Sequence, residues 1–327
     1  MQLGTVKSII ISVFLKASSV LKLSFIPAIF LLRILLSVSV TNLKFLLDYG
    51  FKEIIAVDGS KSAITLAKRF VKSKKCRFFC CDLDNFKFAK NEFDLIVSDN
   101  RYGLFSDSVK SIIITHQLNI KVPFGSKAVN WQNHKWLNRF AEVWVPDTNA
   151  ELSGELTHPI PYGINKPVKE IGLLSRFKNL NQTKGQEIDV LAIVSGPEPQ
   201  KTVLVKKLQQ IFEESHYKTV LYTGDVKLRK TIKRGNLTIK SHAETNEFYK
   251  DLLTAKVVIG RSGYSSLMDY SVMKKSFITI PTPGQDEQLY LAKMLSKKGI
   301  PVLLQSEVSK EKVDKAIQKA QLYNSAK

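Results

Sequence analysis

The run Val257-Val-Ile-Gly-Arg-Ser-Gly-Tyr-Ser-Ser-Leu-Met-Asp269 decides the reading of this chain. Its apolar start reads as a buried strand, its glycines and serines as a tight turn, and its end as the opening of a helix. A strand that turns in this way into a helix leaves free amides and the positive end of a dipole at the strand's carboxyl edge, where an anion fits. Gly263 permits close approach. Ser262, Ser265 and Ser266 add hydroxyl donors, Tyr264 lies between them, and Arg261 adds positive charge. Asp269, about one turn into the helix, is placed to accept two hydroxyls of a ribose. An ordinary helix start capped by Ser265 accounts for the same spacing.

The pattern repeats on either side. Residues 188–194 form an apolar strand that runs into Ser195-Gly-Pro-Glu-Pro199 and a helix over 200–215. Residues 276–280 form another, followed by Pro281-Thr-Pro-Gly-Gln-Asp-Glu-Gln288 and a helix over 285–298. Further strands are expected at 219–223, 237–241 and 301–304, and helices at 245–253, 265–274 and 310–323. This alternation is an α/β unit with a parallel sheet. Three polar loops then line one sheet edge. Ser195 and Gly196 suit phosphates, and Glu287 and Gln288, behind Gly284 and Gln285, suit sugar hydroxyls. Taken singly, each is ordinary loop chemistry.

The N-terminal half reads as a second Rossmann-like unit. Strands are expected at 53–58, 77–82, 93–98, 111–115 and 141–146. Helices are expected at 60–72, with Ile64, Leu66, Ala67 and Phe70 inward, and at 127–140. Residues 147–187, rich in Gly, Pro, Ser and Asn, read as loops and a linker. The organisation is an apolar segment 1–47, an N-terminal domain 48–150, a linker 151–187 and a C-terminal domain 188–327. Two open α/β domains direct a ligand to a cleft at the carboxyl ends of their strands. Asp99 and His116, at such ends, are candidate general bases; a capping aspartate and a hydrogen-bonded histidine are the plainer readings.

An apolar fraction of 44% with 24% charged residues excludes a disordered or collagen-like chain. The excess of 49 Lys and Arg over 29 Asp and Glu gives a net charge of +20, which suits anionic partners. The bases are spread along the chain with no basic-aromatic module, so no nucleic-acid partner is expected. Cys76, Cys80 and Cys81 have no histidine at ligand spacing, so no metal site is expected, and they read as fillers of a buried strand in a reducing compartment. Residues 1–47 hold five bases and no acid. Pro27 and Arg33 interrupt their longest apolar run, which disfavours a span. Two readings stand: peripheral contact with an anionic membrane, or a buried strand and helix.

Residues 188–298 resemble the donor-binding half of glycosyltransferase family 28. The likeness lies in the Arg-Ser-Gly turn at 261–263, the acid at Asp269, and the Pro-rich turn with Asp286 and Gln288 behind it. The blocks Ile96–Gly103, Ile114–Asn119, Val143–Asp147 and Gly172–Phe177 are similar to a bacterial branch of the same superfamily. The resemblance implies a GT-B fold and no obligatory metal or cofactor. It places a nucleotide diphosphate at 261–265, a ribose on Asp269 and a sugar near Gln288. It also implies a glycan or lipid-linked acceptor and a cytoplasmic location, peripheral at the inner membrane face.

Complete members carry a Gly-rich loop with a histidine near the N-terminus, and residues 1–50 hold only Gly4 and Gly50. Residues 46–98 instead resemble part of a class I S-adenosylmethionine methyltransferase, with Asp58 and Asp82 at strand ends and the Gly-rich first loop absent. The N-terminal domain is therefore expected to be atypical or incomplete. The leading expectation is transfer of a hexose or N-acetylhexosamine from a nucleotide-diphosphate sugar, with UDP-sugars first. The alternatives are a methyltransferase fragment and an inactive nucleotide-sugar binder.

Overall fold

The computed structural model describes residues 33–37, 53–58, 61–71, 73–80, 94–177, 187–225, 230–243 and 245–325. These fall into two units. One runs to Arg176 apart from Lys121–Pro123; the other comprises Lys121–Pro123 and the chain from Phe177.

The first unit contains β1 (Arg33–Ser37), β2 (Glu53–Asp58), α1 (Lys61–Phe70), β3 (Cys76–Cys80), β4 (Leu95–Asp99), β5 (Ser111–Ile114), α2 (Ser126–Leu137), β6 (Glu142–Val145) and β7 (Val168–Glu170). The strands form one sheet in the order β3-β2-β1-β4-β5-β6-β7, and every pairing is parallel. The order reverses direction at β1, as in dinucleotide-binding sheets, so the carboxyl ends of β1 and β4 flank the switch point. Ile54, Ala56, Ile96, Val97, Ile113 and Val143 are all buried. Such unbroken apolar runs are what a parallel sheet covered on both faces requires.

Of the two readings for the apolar segment, Arg33–Ser37 follow the buried-strand one: they form a central strand between β2 and β4. Its middle, Ile34-Leu-Leu36, is an apolar run of the kind a central parallel strand requires. The rest of 1–47, with the missing Gly-rich loop and with Leu66, Phe70, Cys81 and Asp82, lies outside the described residues or side chains. Residues 151–176, expected as linker, belong to the first unit. β7 pairs with β6, with Val143 opposite Val168. Asp147 organises the intervening turn: its carboxylate accepts from the Thr148, Leu152 and Ser153 amides at 2.7, 3.1 and 2.8 Å and from the Ser153 hydroxyl at 2.5 Å. A fully buried carboxylate persists because these donors replace its water. The cysteines also differ from expectation: Cys76 is half-buried and Cys80 exposed. Among the described residues no helix is long and apolar enough to cross a membrane.

The second unit contains β8 (Ile188–Ile193), α3 (Gln200–Glu213), β9 (Thr219–Tyr222), β10 (Thr231–Arg234), β11 (Leu237–Lys240), α4 (Thr245–Thr254), β12 (Ala255–Gly260), α5 (Tyr264–Val272), β13 (Ser276–Thr279), α6 (Asp286–Lys297) and α7 (Lys310–Ser325). The sheet order is β10-β11-β9-β8-β12-β13, parallel except for the antiparallel β10–β11 pair. Val190, Ala192, Val257, Ile259 and Ile278 face Leu204, Leu208 and Phe212 of α3 and Val313 and Ile317 of α7 in one core. Leu191 and Val258 point the other way and are equally buried. β10 was not foreseen, because a strand of Thr, Lys and Arg with its side chains mostly exposed carries no apolar alternation. The expected strand at 301–304 reduces to one bridge, Val302 beside Thr279.

Candidate functional site

Neighbouring parallel strands end together. Gly260 at the end of β12 lies in register with Ile193 of β8 on one side and Thr279 of β13 on the other. The three loops singled out in the sequence therefore leave the same sheet edge side by side. The structure brings Ser195, Gly196, Arg261–Ser265, Gly284, Gln285, Glu287 and Gln288 into one cluster of loops.

Arg261 binds that cluster together. It is 2% exposed, and its guanidinium donates to four carbonyls. Nε reaches Ser195 at 3.3 Å, one terminal nitrogen reaches Ile280 and Pro281 at 3.1 and 3.3 Å, and the other reaches Gln200 at 3.2 Å. Burial pushes its pKa down to about 10, so it keeps its charge at neutral pH. The sequence suggested a charge offered to the ligand; instead, the planar fork of donors is spent on four backbone carbonyls, three in strand-end loops and one at the start of α3. The guanidinium charge still lies beneath the loops. Ser262 is likewise turned inward and donates to the Gln288 carbonyl at 2.8 Å. Gln288 faces its own turn: its oxygen accepts from the Thr282 amide at 2.9 Å and its nitrogen donates to Gln285.

Three helices start at this edge, and their N-termini differ in charge. Glu198, one residue before the N-cap Pro199 of α3, accepts from the Thr202 amide at 3.1 Å, so a carboxylate already holds one amide at that helix start. Asp286 and Glu287 occupy the first turn of α6. Neither α3 nor α5 has an acid in its first turn or a side-chain cap; they differ in the Glu198 carboxylate that already holds an amide of α3. The N-cap of α5 is Gly263, not Ser265, and Ser265 is exposed one residue inside the helix, after buried Tyr264. A Cβ at Gly263 would meet nothing within 4 Å. A Cβ at Gly260 would lie 2.4 Å from the Tyr270 hydroxyl, so the close helix–strand approach belongs to Gly260. Ser195 and Gly196 are exposed, and Gly196 and Gly284 have φ of +111° and +79°, the left-handed region that glycine favours. Asp269 is buried at 9% exposure.

Sequence reasoning passed over Thr282. Among the described residues its hydroxyl is buried without a hydrogen-bond partner, 3.5 Å from where a Cβ at Gly196 would stand. Native structures rarely leave such a group unpaired. Its signal was its place between Pro281 and Pro283.

In the first unit, Asp99 ends β4 opposite Ile114, and His116 follows β5, so both candidate bases lie at neighbouring strand ends. Between them Thr115 donates to the Asn100 carboxamide oxygen at 3.0 Å, and Asn100 adopts φ of +52°. Asp58, at the end of β2, is 4% exposed with the Arg101 guanidinium 3.8 Å away. Among the described residues no group of histidine, cysteine and acidic side chains has the geometry of a metal site.

Comparison with solved structures relates this architecture to known proteins. The chain is similar to MurG from Acinetobacter baumannii (12% identity, 89% of this chain and 94% of that one, TM-score 0.52). It is also similar to CalG4, the calicheamicin glycosyltransferase (10%, 89% and 90%, TM-score 0.61). A third is UGT89C1 from Arabidopsis thaliana complexed with UDP (10%, 90% and 93%, TM-score 0.62). The fold is GT-B. Both α/β units of the chain thus correspond to the two Rossmann-like domains of that fold. Residues 181–320 match the model described as glycosyl transferase family 1, which covers every donor-site candidate of this GT-B chain. Residues 40–116 match the model of a methyltransferase domain. No curated protein matches the chain by sequence.

Proposed function

We propose that the protein is a glycosyltransferase that moves a hexose or N-acetylhexosamine from a nucleotide-diphosphate sugar to a glycan or lipid-linked acceptor. The observation that carries this is the charge pattern at the second unit's sheet edge. Of three adjacent helix starts, α6 has acids in its first turn and α3 has the flanking Glu198 carboxylate on its Thr202 amide, whereas the first turn of α5 carries no carboxylate and stands over a buried guanidinium. A pyrophosphate is the anion that suits it: the Gly263, Tyr264 and Ser265 amides and the Ser265 hydroxyl receive one phosphate. Ser195, Gly196 and the unpaired Thr282 hydroxyl receive the other. The same groups stabilise the diphosphate as it leaves, so no metal is needed for that step. Glu287, Gln288, Gly284 and Gln285 border the sugar, and Asp269 borders the ribose. Asp99 or His116 serves as general base toward the acceptor hydroxyl. UDP is the first choice of nucleotide, supported by the UDP and UDP-L-rhamnose complexes of UGT89C1 and by the residue-level likeness to family 28.

The test is calorimetric titration of UDP, UDP-glucose and UDP-N-acetylglucosamine into the full chain, beside Asp269→Asn. At least one ligand should bind, and the variant should weaken it roughly tenfold, the effect of about 1.4 kcal/mol. Failure of every nucleotide sugar to bind overturns the reading. Binding without transfer or donor hydrolysis identifies an inactive binder. A second reading rests on the methyltransferase match and on Asp58, which ends the strand where such a domain grips a ribose. Arg101 and burial already engage that carboxylate, so equilibrium dialysis with S-adenosylmethionine should detect no binding.

A further inference from the structure

We propose that Gln288 is a positioning residue that sets the Thr282 hydroxyl for the diphosphate, and not a residue that reads the sugar. This rests on the nucleotide-sugar reading of the same site. Thr282-Pro283-Gly284-Gln285 forms a type II turn: the Gln285 amide donates to the Thr282 carbonyl at 3.2 Å, and Gly284 has φ of +79°. α6 starts where the turn ends, with Gln285 as N-cap and Gln288 as its third residue. A glutamine at that third position ordinarily reaches back to the N-cap amide. Here the turn already holds that amide, and the Gln288 carboxamide reaches past it. Its oxygen accepts from the Thr282 amide at 2.9 Å, and its nitrogen donates to the Gln285 side-chain oxygen. The Gln288 backbone carbonyl accepts from the Ser262 hydroxyl at 2.8 Å, one residue before the N-cap Gly263 of α5. One residue thus joins the two groups assigned to the diphosphate, the start of α5 and Thr282.

Both ends of the carboxamide are engaged inside the protein. Thr282 is held by its neighbours as well, because Pro283 confines the residue before it to extended backbone. A β-branched side chain is stiff at χ1, so the direction of the hydroxyl follows from the backbone that Gln288 holds. That hydroxyl is buried, unpaired among the described residues, and 3.5 Å from where a Cβ at Gly196 would stand. Releasing the Thr282 amide therefore removes the hydroxyl from its place beneath the first loop. A glutamine that reads the sugar matters only when a sugar is present. A glutamine that positions Thr282 matters equally for the bare nucleotide.

Calorimetry with UDP, UDP-glucose and UDP-N-acetylglucosamine on the full chain separates the two roles. Gln288→Ala should weaken UDP and the nucleotide sugars by the same factor, about fivefold to tenfold. Thr282→Val, which keeps the shape and removes the hydroxyl, should do likewise. The double variant should lie within about twofold of either single one, because both remove one shared interaction. Without nucleotide, the Thr282 amide of Gln288→Ala should exchange about fivefold faster. Gln288→Met, which fills the same volume, makes the same comparison if the alanine variant is unstable. Three results overturn the proposal while the donor reading stands. Nucleotide sugars weaken and UDP does not, so Gln288 reads the sugar; all affinities stay at the parent's while the thermal midpoint falls, so Gln288 is a helix cap alone; or the two substitutions multiply, so Gln288 acts apart from Thr282. A parent chain that binds none of the three ligands overturns the donor reading and this inference with it.

Discussion

Four backbone carbonyls, from residues 195, 200, 280 and 281, share the Arg261 guanidinium. Composition identifies a cation in a turn but not the direction of its side chain, which depends on carbonyls up to 66 residues away in sequence. The neighbouring glycines divide in the same way. Gly260→Ala should cost about 1–3 kcal/mol, since a new methyl meets the Tyr270 hydroxyl at 2.4 Å. Gly263→Ala meets no protein atom and should alter stability by less than about 1 kcal/mol, yet weaken nucleotide binding. Urea denaturation and calorimetry on the two variants separate these outcomes. Glu142 carries a pH dependence. Burial opposes its charge, but hydrogen bonds from Lys110, Lys169 and Trp144 prevail and hold its pKa at about 2, below its ordinary 4.5. A depressed carboxyl contributes stability that is complete above pH 4.5 and is lost as pH falls toward about 2. Acid titration of stability should therefore be shallower in Glu142→Gln across that window.

At the level of the element, α5 begins with no acid in its first turn and no carboxylate held on its amides, unlike α6 and α3. A carboxylate there interacts favourably with the helix dipole, by about 0.3–1 kcal/mol at an exposed position. Ser265→Asp should therefore leave the thermal midpoint unchanged or raise it slightly. The same charge occupies the place of the pyrophosphate, so affinity for UDP should fall by about 1.4 kcal/mol or more, tenfold. A variant that stabilises the protein while losing the ligand distinguishes a binding helix start from a merely structural one. Differential scanning and calorimetry on one preparation measure both. Most elements were legible in this way: β2, β12 and α6 announce themselves by apolar runs, turn residues and first-turn acids. β1 was ambiguous, because an apolar, basic stretch satisfies a membrane interface and a buried strand alike. β7 has three residues, and only its partner β6 makes it a strand.

For the whole molecule, a ligand of the second unit should leave a defined footprint. Saturating UDP should slow hydrogen exchange over 195–200, 260–266 and 281–288 and leave β3, β6 and β7 unchanged; at about 100 times its dissociation constant it adds about 2.7 kcal/mol to the unit it binds. Protection confined to 53–58 and 95–101 would point instead to the first unit. Two α/β units, the strand-to-helix turns of the candidate donor site and the excess of positive charge are legible along the chain, because periodicity and turn chemistry are local. Folding is needed to show that Arg261 ties three loops, that Gly260 rather than Gly263 makes the close approach, that the Thr282 hydroxyl finds no partner among the described residues, and that α2 turns its aromatic and basic residues outward. Each of these depends on which distant atoms the sheet order sets side by side, and pairing of that kind leaves no mark in the order of residues along the chain.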